Sequence, residues 1–313
     1  MSGGPAQRVV YVGSWSRSGS TLLDLMLGSI PGFVSAGEVR FLWDRGLLEG
    51  QLCGCGTPVP ACPFWCAVLE EAFGPDGPDA ADIRALRDRV DGLGRLPWTA
   101  GPWRPPALAR DLARFREVLG RLYRAIARVA QASVVVDSSK YAAYGRVLAG
   151  APGVDLRLVH LVRDSRAVAY SWTRTKRLLE VPGEERYMPL HPAWRSAAYW
   201  ALENAALELL RPAATRAAIL RYDELTGRPV AALAETLRRL GLDGDPGGLA
   251  SGRLPAKVNH TVAGNPIRIT PGELAIRPDL EWRGRFAPGA RRTVTALTWP
   301  LLLRYGFRLR AGR

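Results

Sequence analysis

Two patterns of apolar and polar residues alternate along this chain: short apolar runs and longer stretches with a helical period. The apolar runs predict buried strands, because they are short and bounded by turn residues. The stretches between them predict helices, and such alternation is typical of a parallel sheet covered by helices on both faces. The predicted strands are residues 8–13, 33–36, 133–136, 156–162 and 217–222.

The helical period is clearest in four stretches. The first predicted helix spans residues 20–29 and ends at Pro31-Gly32, and a second spans residues 39–49. A long helix starts at Pro105-Pro106, with arginines opposite its apolar face, and the last clear helix carries leucines at residues 233, 237 and 240. The apolar face of the long helix comprises Leu108, Leu112, Phe115, Leu119, Leu122, Ile126 and Val129.

The length of 313 residues suits a single α/β domain, and we expect residues 1–313 to form a three-layer sandwich related to P-loop folds. Two segments interrupt the alternation. Residues 50–66 form a Cys-rich loop, and residues 73–104, rich in Gly, Pro and Asp, are interpreted as an inserted, lid-like segment over a binding site.

The chain's four cysteines lie close together, in LCGCGTPVPACPFWC. Zinc is one interpretation, although a C-x-C pair followed by C-x-x-x-C is not a standard ligand spacing. A Gly/Pro loop with reduced thiols and a local disulfide are the others. The sequence leaves all three open for Cys53, Cys55, Cys62 and Cys66.

The net charge of +14 favours an anionic ligand, because a positive field concentrates anions. Lys140, Lys176 and Lys257 are the lysines, and arginines supply the rest of the positive charge. Helix-turn-helix, zinc-finger and RNP patterns are absent, so we expect no nucleic-acid partner. The sequence also lacks a secretory signal pattern and an apolar run long enough to span a bilayer, which predicts a cytoplasmic protein.

An anion-binding loop follows the first predicted strand, in GSWSRSGSTLL. Backbone N–H groups of such a loop converge at a helix N-terminus, where the helix dipole also favours anions. Arg17 adds a fork of donors, and Ser20 and Thr21 add hydroxyls. The loop is not a Walker A motif, because Ser20 follows Gly19 where that motif has lysine.

Other polar residues lie at or just past the ends of predicted strands. Glu38, Asp137 and Arg163 each do so, as does Gly13 at the start of the loop. Ligands of open parallel sheets bind beyond the carboxyl ends of the strands. We therefore expect these residues to meet at one site.

Two of these segments together resemble the superfamily of sulfotransferases that use 3′-phosphoadenosine 5′-phosphosulfate (PAPS). Arg17-Ser18-Gly19-Ser20-Thr21 resembles the loop that binds the 5′-phosphosulfate. HLVRDSRAVAYSW is similar to the 3′-phosphate site, which implies that Arg163 and Ser171 grip that phosphate. The resemblance covers about residues 8–50 and 130–270, and it implies PAPS as donor and 3′,5′-diphosphoadenosine as product.

Two further matches imply catalytic residues. SAGEVR resembles the Gly-Glu segment of the trehalose and protein-tyrosine branches, which implies Glu38 as the base that deprotonates an acceptor hydroxyl. The cytosolic aryl sulfotransferases use a histidine instead. VVVDSSK places Lys140 where the superfamily has a lysine that supports the bridging oxygen as the sulfur–oxygen bond breaks. Arg17 is expected to stabilise charge on the sulfuryl group, and the resemblance assigns no metal to the site.

A last segment, HTVAGNPIR, resembles a C-terminal segment that closes over the donor in bacterial relatives. It implies that His260 and Arg268 touch phosphate or adenine, although a surface loop histidine is an equal interpretation of His260. The acceptor, whether a small metabolite or a glycan, and the oligomeric state are not readable from the sequence.

Three alternatives stay open at this stage. A P-loop phosphotransferase would use ATP, with Asp137 holding Mg²⁺ at the end of a Walker B strand. A protein that binds a nucleotide or polyanion without catalysis would also explain the positive charge. Glu38 could instead be a carboxylate that stabilises the start of its helix.

Overall fold

A parallel sheet of five strands forms the centre of the computed structural model, which describes residues 5–175, 177–178, 186–255, 258–270 and 272–309. The strands are β1 (Gln7–Gly13), β2 (Phe33–Gly37), β3 (Val134–Lys140), β4 (Val154–Val162), β5 (Arg177–Leu178), β6 (Arg186–Tyr187), β7 (Arg216–Arg221), β8 (Arg253–Leu254) and β9 (Leu274–Ala275). The central order is β2-β3-β1-β4-β7, and the remaining strands form two small antiparallel pairs.

Helices account for most of the rest of the described chain, and none of them is long and apolar enough to cross a lipid bilayer. The α-helices are α1 (Ser20–Gly28), α2 (Pro63–Phe73), α3 (Ala80–Val90), α4 (Leu96–Ala100), α5 (Pro106–Val129), α6 (Ala142–Leu148), α7 (Ser165–Trp172), α8 (Ala193–Leu210), α9 (Tyr222–Gly227), α10 (Pro229–Leu240), α11 (Trp282–Arg285) and α12 (Pro288–Arg304). Short 3₁₀ turns lie at Val59–Ala61, Leu93–Arg95, Arg211–Ala213, Pro246–Leu249 and Pro266–Ile269.

The central strands are apolar on both faces because both faces are covered. In β1, Val9 and Tyr11 pack into a core with α2, α3, α5, α6 and α8. Val10 and Val12 point the opposite way, into a core with α1 and α10. Successive side chains of a strand alternate between faces, so a continuous apolar run marks a strand buried on both sides. This confirms the predicted fold class, an α/β sandwich with a central parallel sheet.

Two predicted elements differ in detail. Residues 39–49 do not form one α-helix: a 3₁₀ turn at Val39–Phe41 leads into a π-helix at Leu42–Leu48. The Glu49 N–H donates to the Asp44 carbonyl, five residues back. Apolar spacing does not distinguish these helix types over so few residues, because side chains three to five positions apart share a face in all of them.

Strand β3 continues four residues past the predicted run, through Asp137 to Lys140, and all seven of its residues are buried. The prediction stopped at residue 136 because polar residues rarely continue a buried strand. Helix α12, C-terminal to the predicted last helix, was missed entirely. Its fully buried residues are few, Val294, Thr298 and Leu302, and Pro300 lies inside it, so its pattern is weak.

The segment 73–104 contains α3 and α4 and packs on the main core. Ile83, Leu86 and Val90 are buried there. The Arg87 guanidinium donates to the Arg40 carbonyl at 2.7 Å, and it pairs with the Asp44 carboxylate at 3.1 Å. The segment therefore supports the turn that follows β2.

Candidate active site

The loop between β1 and α1 takes its shape from two residues in the left-handed region. Gly19 has φ +93°, and a Cβ there would lie 2.6 Å from the Tyr222 ring, so glycine is needed. Arg17 has φ +71°, which is uncommon for a residue with a side chain. Such strain is found at ligand sites, where the surrounding structure holds it in place.

This loop borders a cavity of about 520 Å³, a size typical of sites for small molecules and cofactors. The cavity lies at the carboxyl ends of the central strands, as expected for a parallel sheet. Its lining residues are Ser16, Arg17, Gly19, Ser20, Thr21, Leu22, Glu38, Phe41, Arg45, Gln51, Lys140, Tyr141, Arg163, Ser171, Trp172, Met188, Pro189, Tyr222, Gly264, Asn265, Ile267 and Asp279.

Arg17 lines this cavity, and its guanidinium lies 5.0 Å from the Trp172 ring centre. Its three nitrogens are buried and have no hydrogen-bond partner among the described residues. Burial lowers the pKa of Arg17 to about 10, so the group stays charged at neutral pH. Buried donors are normally paired. An unpaired cation in a cavity is therefore a strong indication that an anion binds there.

Glu38 and Lys140 also line this cavity and form a buried ion pair, in contact through Oε1 and Nζ. Both residues are about 5–6% exposed. Lys140 has φ +77° at the end of β3, which brings its side chain back toward the cavity. A carboxylate can accept a proton, and a lysine can donate a hydrogen bond to a leaving oxygen.

The backbone of Glu38 is held by a segment distant in sequence. Its N–H donates to the Val262 carbonyl at 2.7 Å, and the Val262 N–H donates to the Ala36 carbonyl at 3.0 Å. Gly37, with φ +77°, has no room for a Cβ, which would lie 2.5 Å from the Val262 oxygen. The Glu38 side chain makes no capping bond to the following turn. The alternative in which Glu38 only stabilises a helix start therefore has no support in the geometry.

Arg163 lies at the other end of the cavity, where β4 leads into α7. Its guanidinium donates to the Arg17 carbonyl at 3.0 Å and to Asp279 at 2.9 Å, and it lies 4.4 Å from the Tyr222 ring centre. Ser171, on α7, lines the same cavity. Arg163 is thus a second cationic side chain of the cavity, and it also holds the backbone of the anion-binding loop.

The overall fold resembles that of known structures. The sulfotransferase domain of the Synechococcus PCC 7002 olefin synthase is 21% identical, over 95% of both chains, with a TM-score of 0.50. The sulfotransferase domain of the curacin biosynthetic pathway is 17% identical, over 98% of this chain and 100% of its own, with a TM-score of 0.53. This chain has the sulfotransferase fold. No family profile and no curated protein sequence matches it.

Within the sulfotransferase fold, the three hydroxyl-bearing residues predicted to bind the donor, Ser18, Ser20 and Thr21, differ in position. Ser20 and Thr21 line the cavity. The Thr21 hydroxyl also accepts a bond from the Asn265 N–H at 3.3 Å. Ser18 is buried, is not among the lining residues, and its hydroxyl has no partner among the described residues.

His260 and Arg268 do not line the cavity of this sulfotransferase fold, although both were expected to touch donor phosphate or adenine. They border a second cavity of about 650 Å³ near the end of α1. The Arg268 guanidinium donates to the carbonyls of Thr261 and Leu52, at 2.8 and 2.6 Å. His260 Nδ1 lies 3.4 Å from the Cys62 sulfur, and burial lowers the pKa of the imidazole.

The residues of the same segment that reach the first cavity are Gly264, Asn265 and Ile267. Gly264 has φ +108°, and a Cβ there would lie 3.1 Å from the Glu38 carboxylate. The sequence prediction favoured the charged residues at the ends of the segment. The Gly-Asn-Pro turn was the better signal, because glycine marks a close approach of backbone to a site.

Asp137 has no place in the cavity of the sulfotransferase fold. It is fully buried, and its carboxylate accepts bonds from the Tyr123 hydroxyl and from the Ser139 N–H. Burial raises the pKa of Asp137 to about 6. Both oxygens are thus occupied, which argues against the Walker B interpretation, in which Asp137 would hold Mg²⁺.

Several residues that line this cavity were not singled out from the sequence, among them Trp172, Tyr222, Tyr141 and Asp279. Trp172 and Tyr141 each follow a predicted site residue directly, and that adjacency was the available signal. Tyr222 begins α9 at the end of β7, the fifth strand end at this edge of the sheet. Asp279 carried no local signal.

Proposed function

We propose that this protein transfers a sulfuryl group from PAPS to a hydroxyl of an acceptor. The observation that carries the proposal is the composition of one cavity. It combines a buried Arg17, whose guanidinium has no hydrogen-bond partner in the described part of the chain, with a buried Glu38–Lys140 pair and a loop shaped to bind anions. A carboxylate beside an anion site would repel the donor, so its presence needs a chemical reason. Removal of a proton from the acceptor supplies that reason.

The loop holds the phosphosulfate end of the donor. Backbone N–H groups, the hydroxyls of Ser20 and Thr21 and the Arg17 fork bind its oxygens. Arg163 and Ser171 bind the 3′-phosphate, with Arg163 releasing part of its contact with Asp279 to do so. These contacts are remote from the reacting sulfur, and they orient it.

Transfer is an in-line displacement at sulfur. The acceptor oxygen forms a bond to sulfur, and the bond between sulfur and the bridging oxygen of the 5′-phosphate breaks. Glu38 takes the acceptor proton. Lys140 donates to the leaving bridging oxygen, and Arg17 stabilises the sulfuryl oxygens. The products are the sulfated acceptor and 3′,5′-diphosphoadenosine.

Part of the cavity wall is apolar and aromatic, formed by Phe41, Tyr141, Trp172, Met188 and Pro189. Such walls suit the apolar face of a sugar ring or an aromatic or aliphatic metabolite. We therefore propose a small metabolite or a glycan that presents a hydroxyl toward Glu38.

A comparison of nucleotides tests this proposal. PAPS and 3′,5′-diphosphoadenosine should raise the melting temperature by several degrees, because a ligand at 100 times its Kd stabilises by about 2.7 kcal/mol. ATP with Mg²⁺ should not. Labelled sulfate should then move from PAPS to an alcohol, phenol or sugar in a panel of acceptors. Stabilisation by ATP-Mg²⁺ but not by PAPS would instead support the phosphotransferase alternative.

The role of Arg163 gives a second prediction. Arg163→Ala should weaken 3′,5′-diphosphoadenosine binding about 10-fold or more in calorimetry, because a hydrogen bond to a charged group contributes about 1.5–3 kcal/mol. Arg166→Ala is the matched control. Arg166 lies on α7 and is buried like Arg163, but its guanidinium donates to Asp164 and to the carbonyls of Arg308 and Leu309. This control should lose stability and keep affinity. Unchanged affinity in folded Arg163→Ala would refute the 3′-phosphate assignment.

A further inference from the structure

Three cysteines and a histidine converge outside the proposed active site. The sulfurs of Cys53, Cys55 and Cys62 and a ring nitrogen of His260 all lie within 4.8 Å of one another. Cys53 and Cys62 are fully buried, and Cys55 and His260 are half-buried. Cys66, the remaining cysteine, is exposed and lies outside the cluster, where its thiol contacts the Pro60 carbonyl.

The spacing within the cluster is that of a tetrahedral metal site. Bonds of about 2.3 Å to sulfur and about 2.1 Å to nitrogen give edges of about 3.8 Å between sulfurs and about 3.6 Å between sulfur and nitrogen. The Cys62 sulfur lies 3.6 Å from Cys53 and 3.7 Å from Cys55. His260 Nδ1 lies 3.4 Å from Cys62 and 3.8 Å from Cys53.

The two other interpretations of these cysteines fit less well. A disulfide needs its sulfurs about 2.05 Å apart, and all four cysteines are free. A loop that merely carried reduced thiols would have no reason to enclose a histidine 198 positions from Cys62 in the chain. The backbone is also packed closely around this contact. A Cβ on Gly54 would lie 1.8 Å from the Asn259 side chain, next to His260.

The groups around the cluster hold its ligands in place. Cys62 directly precedes α2, and the backbone N–H groups of Phe64 and Trp65 lie within hydrogen-bonding reach of its sulfur. The His260 ring stacks on Phe64, with centres 4.7 Å apart. The His260 carbonyl accepts a bond from the Trp65 indole at 2.8 Å. Metal sites depend on such supporting contacts to orient their ligands.

We propose that Cys53, Cys55, Cys62 and His260 bind one structural Zn²⁺ ion. Three sulfurs and one imidazole nitrogen at the corners of a tetrahedron form a set that zinc prefers. Four protein ligands leave no open position for substrate, so the site is structural. Binding releases the protons of the three thiols, and no oxidation or reduction takes place.

The position of this zinc site links it to the active-site wall. His260 lies two residues before Val262, whose carbonyl and N–H hold the backbone on both sides of Gly37. Two residues further on, Gly264 and Asn265 line the cavity. Zinc therefore ties the Cys-rich loop to the segment that supports Glu38.

Metal content is the first test. Protein purified with reductant from zinc-supplemented medium should contain about one zinc per chain by mass spectrometry, and so should the matched control Cys66→Ser. Cys62→Ser should contain less than about 0.1 zinc per chain. Unchanged zinc in Cys62→Ser, or another metal in place of zinc in the wild type, would overturn the proposal.

A second test uses the wild type and holds even where Cys62→Ser does not fold. In native protein, a thiol reagent should react rapidly with about one cysteine, Cys66, because bound zinc protects its ligands. Unfolding in the presence of a chelator should expose all four thiols, and zinc should be released in proportion to the cluster thiols that become reactive. Rapid reaction of the cluster thiols in native, zinc-loaded protein, or a wild type that binds no zinc on titration, would refute the site. Neither readout depends on sulfuryl transfer.

Discussion

Glu38→Gln should lower the rate of single-turnover sulfuryl transfer by about 10²–10⁴-fold, the usual contribution of a general base. Glutamine keeps the size of the side chain and most of its hydrogen bonds, but it cannot take a proton from the acceptor at neutral pH. Affinity for PAPS should hold or improve, because one negative charge beside the anion loop is removed. The measurement is transfer from labelled PAPS, alongside donor affinity by calorimetry.

The ion pair adds a second expectation for this variant. Glu38→Gln leaves the buried Lys140 side chain without its ion-pair partner. Because an uncompensated buried charge is unfavourable, the free energy of unfolding should decrease. Bound 3′,5′-diphosphoadenosine supplies negative charge at the same place. The nucleotide should therefore raise the melting temperature of Glu38→Gln more than that of the wild type.

A buried glutamate outside the cavity provides the control. Glu203 on α8 is 2% exposed, and burial raises its pKa to about 7. Glu203→Gln makes the same chemical change and should keep turnover near that of the wild type. Retained turnover in folded Glu38→Gln would move the base elsewhere. A large loss of donor affinity would assign Glu38 a positioning role instead.

Arg17→Ala should lower turnover at saturating PAPS by about 10²–10³-fold, the typical cost of losing one donor to a developing negative charge. The three guanidinium nitrogens have no hydrogen-bond partner among residues that the structure describes, so the substitution breaks no hydrogen bond to those residues. Alanine also keeps the Cβ at the strained backbone position. Binding of 3′,5′-diphosphoadenosine should weaken less than turnover, because this product lacks the sulfuryl group.

The shape of the guanidinium can be tested separately from its charge. Arg17→Lys keeps a cation but replaces the planar fork with a single ammonium, so it should restore only part of the rate. Rapid-quench measurements at saturating PAPS separate this effect from binding. Collapse of product binding in Arg17→Ala with normal turnover would make Arg17 a ground-state phosphate contact and contradict its catalytic role.

Most of the architecture was readable from the sequence alone. Continuous valine runs such as residues 134–136 indicated strands buried on both sides, and their alternation with helices determined the sandwich. Glu38 and Arg163 were grouped because each lies at or just past a predicted strand end, and Arg17 because it lies in the anion-binding loop after the first strand. Parallel strands bring those ends to one edge, so local position along the chain was enough to group them.

Contacts between distant segments were decided only by the tertiary structure. The Glu38–Lys140 pair, the support of Glu38 by Val262 and the approach of Gly264 to the cavity each join elements far apart in sequence. The cysteines show the same limit. The spacing of the four cysteines argued against a metal site, because the sequence did not reveal that the fourth ligand atom belongs to His260 and not to Cys66. Local periodicity reports which face of an element is buried, whereas the choice of partner depends on how the whole chain packs.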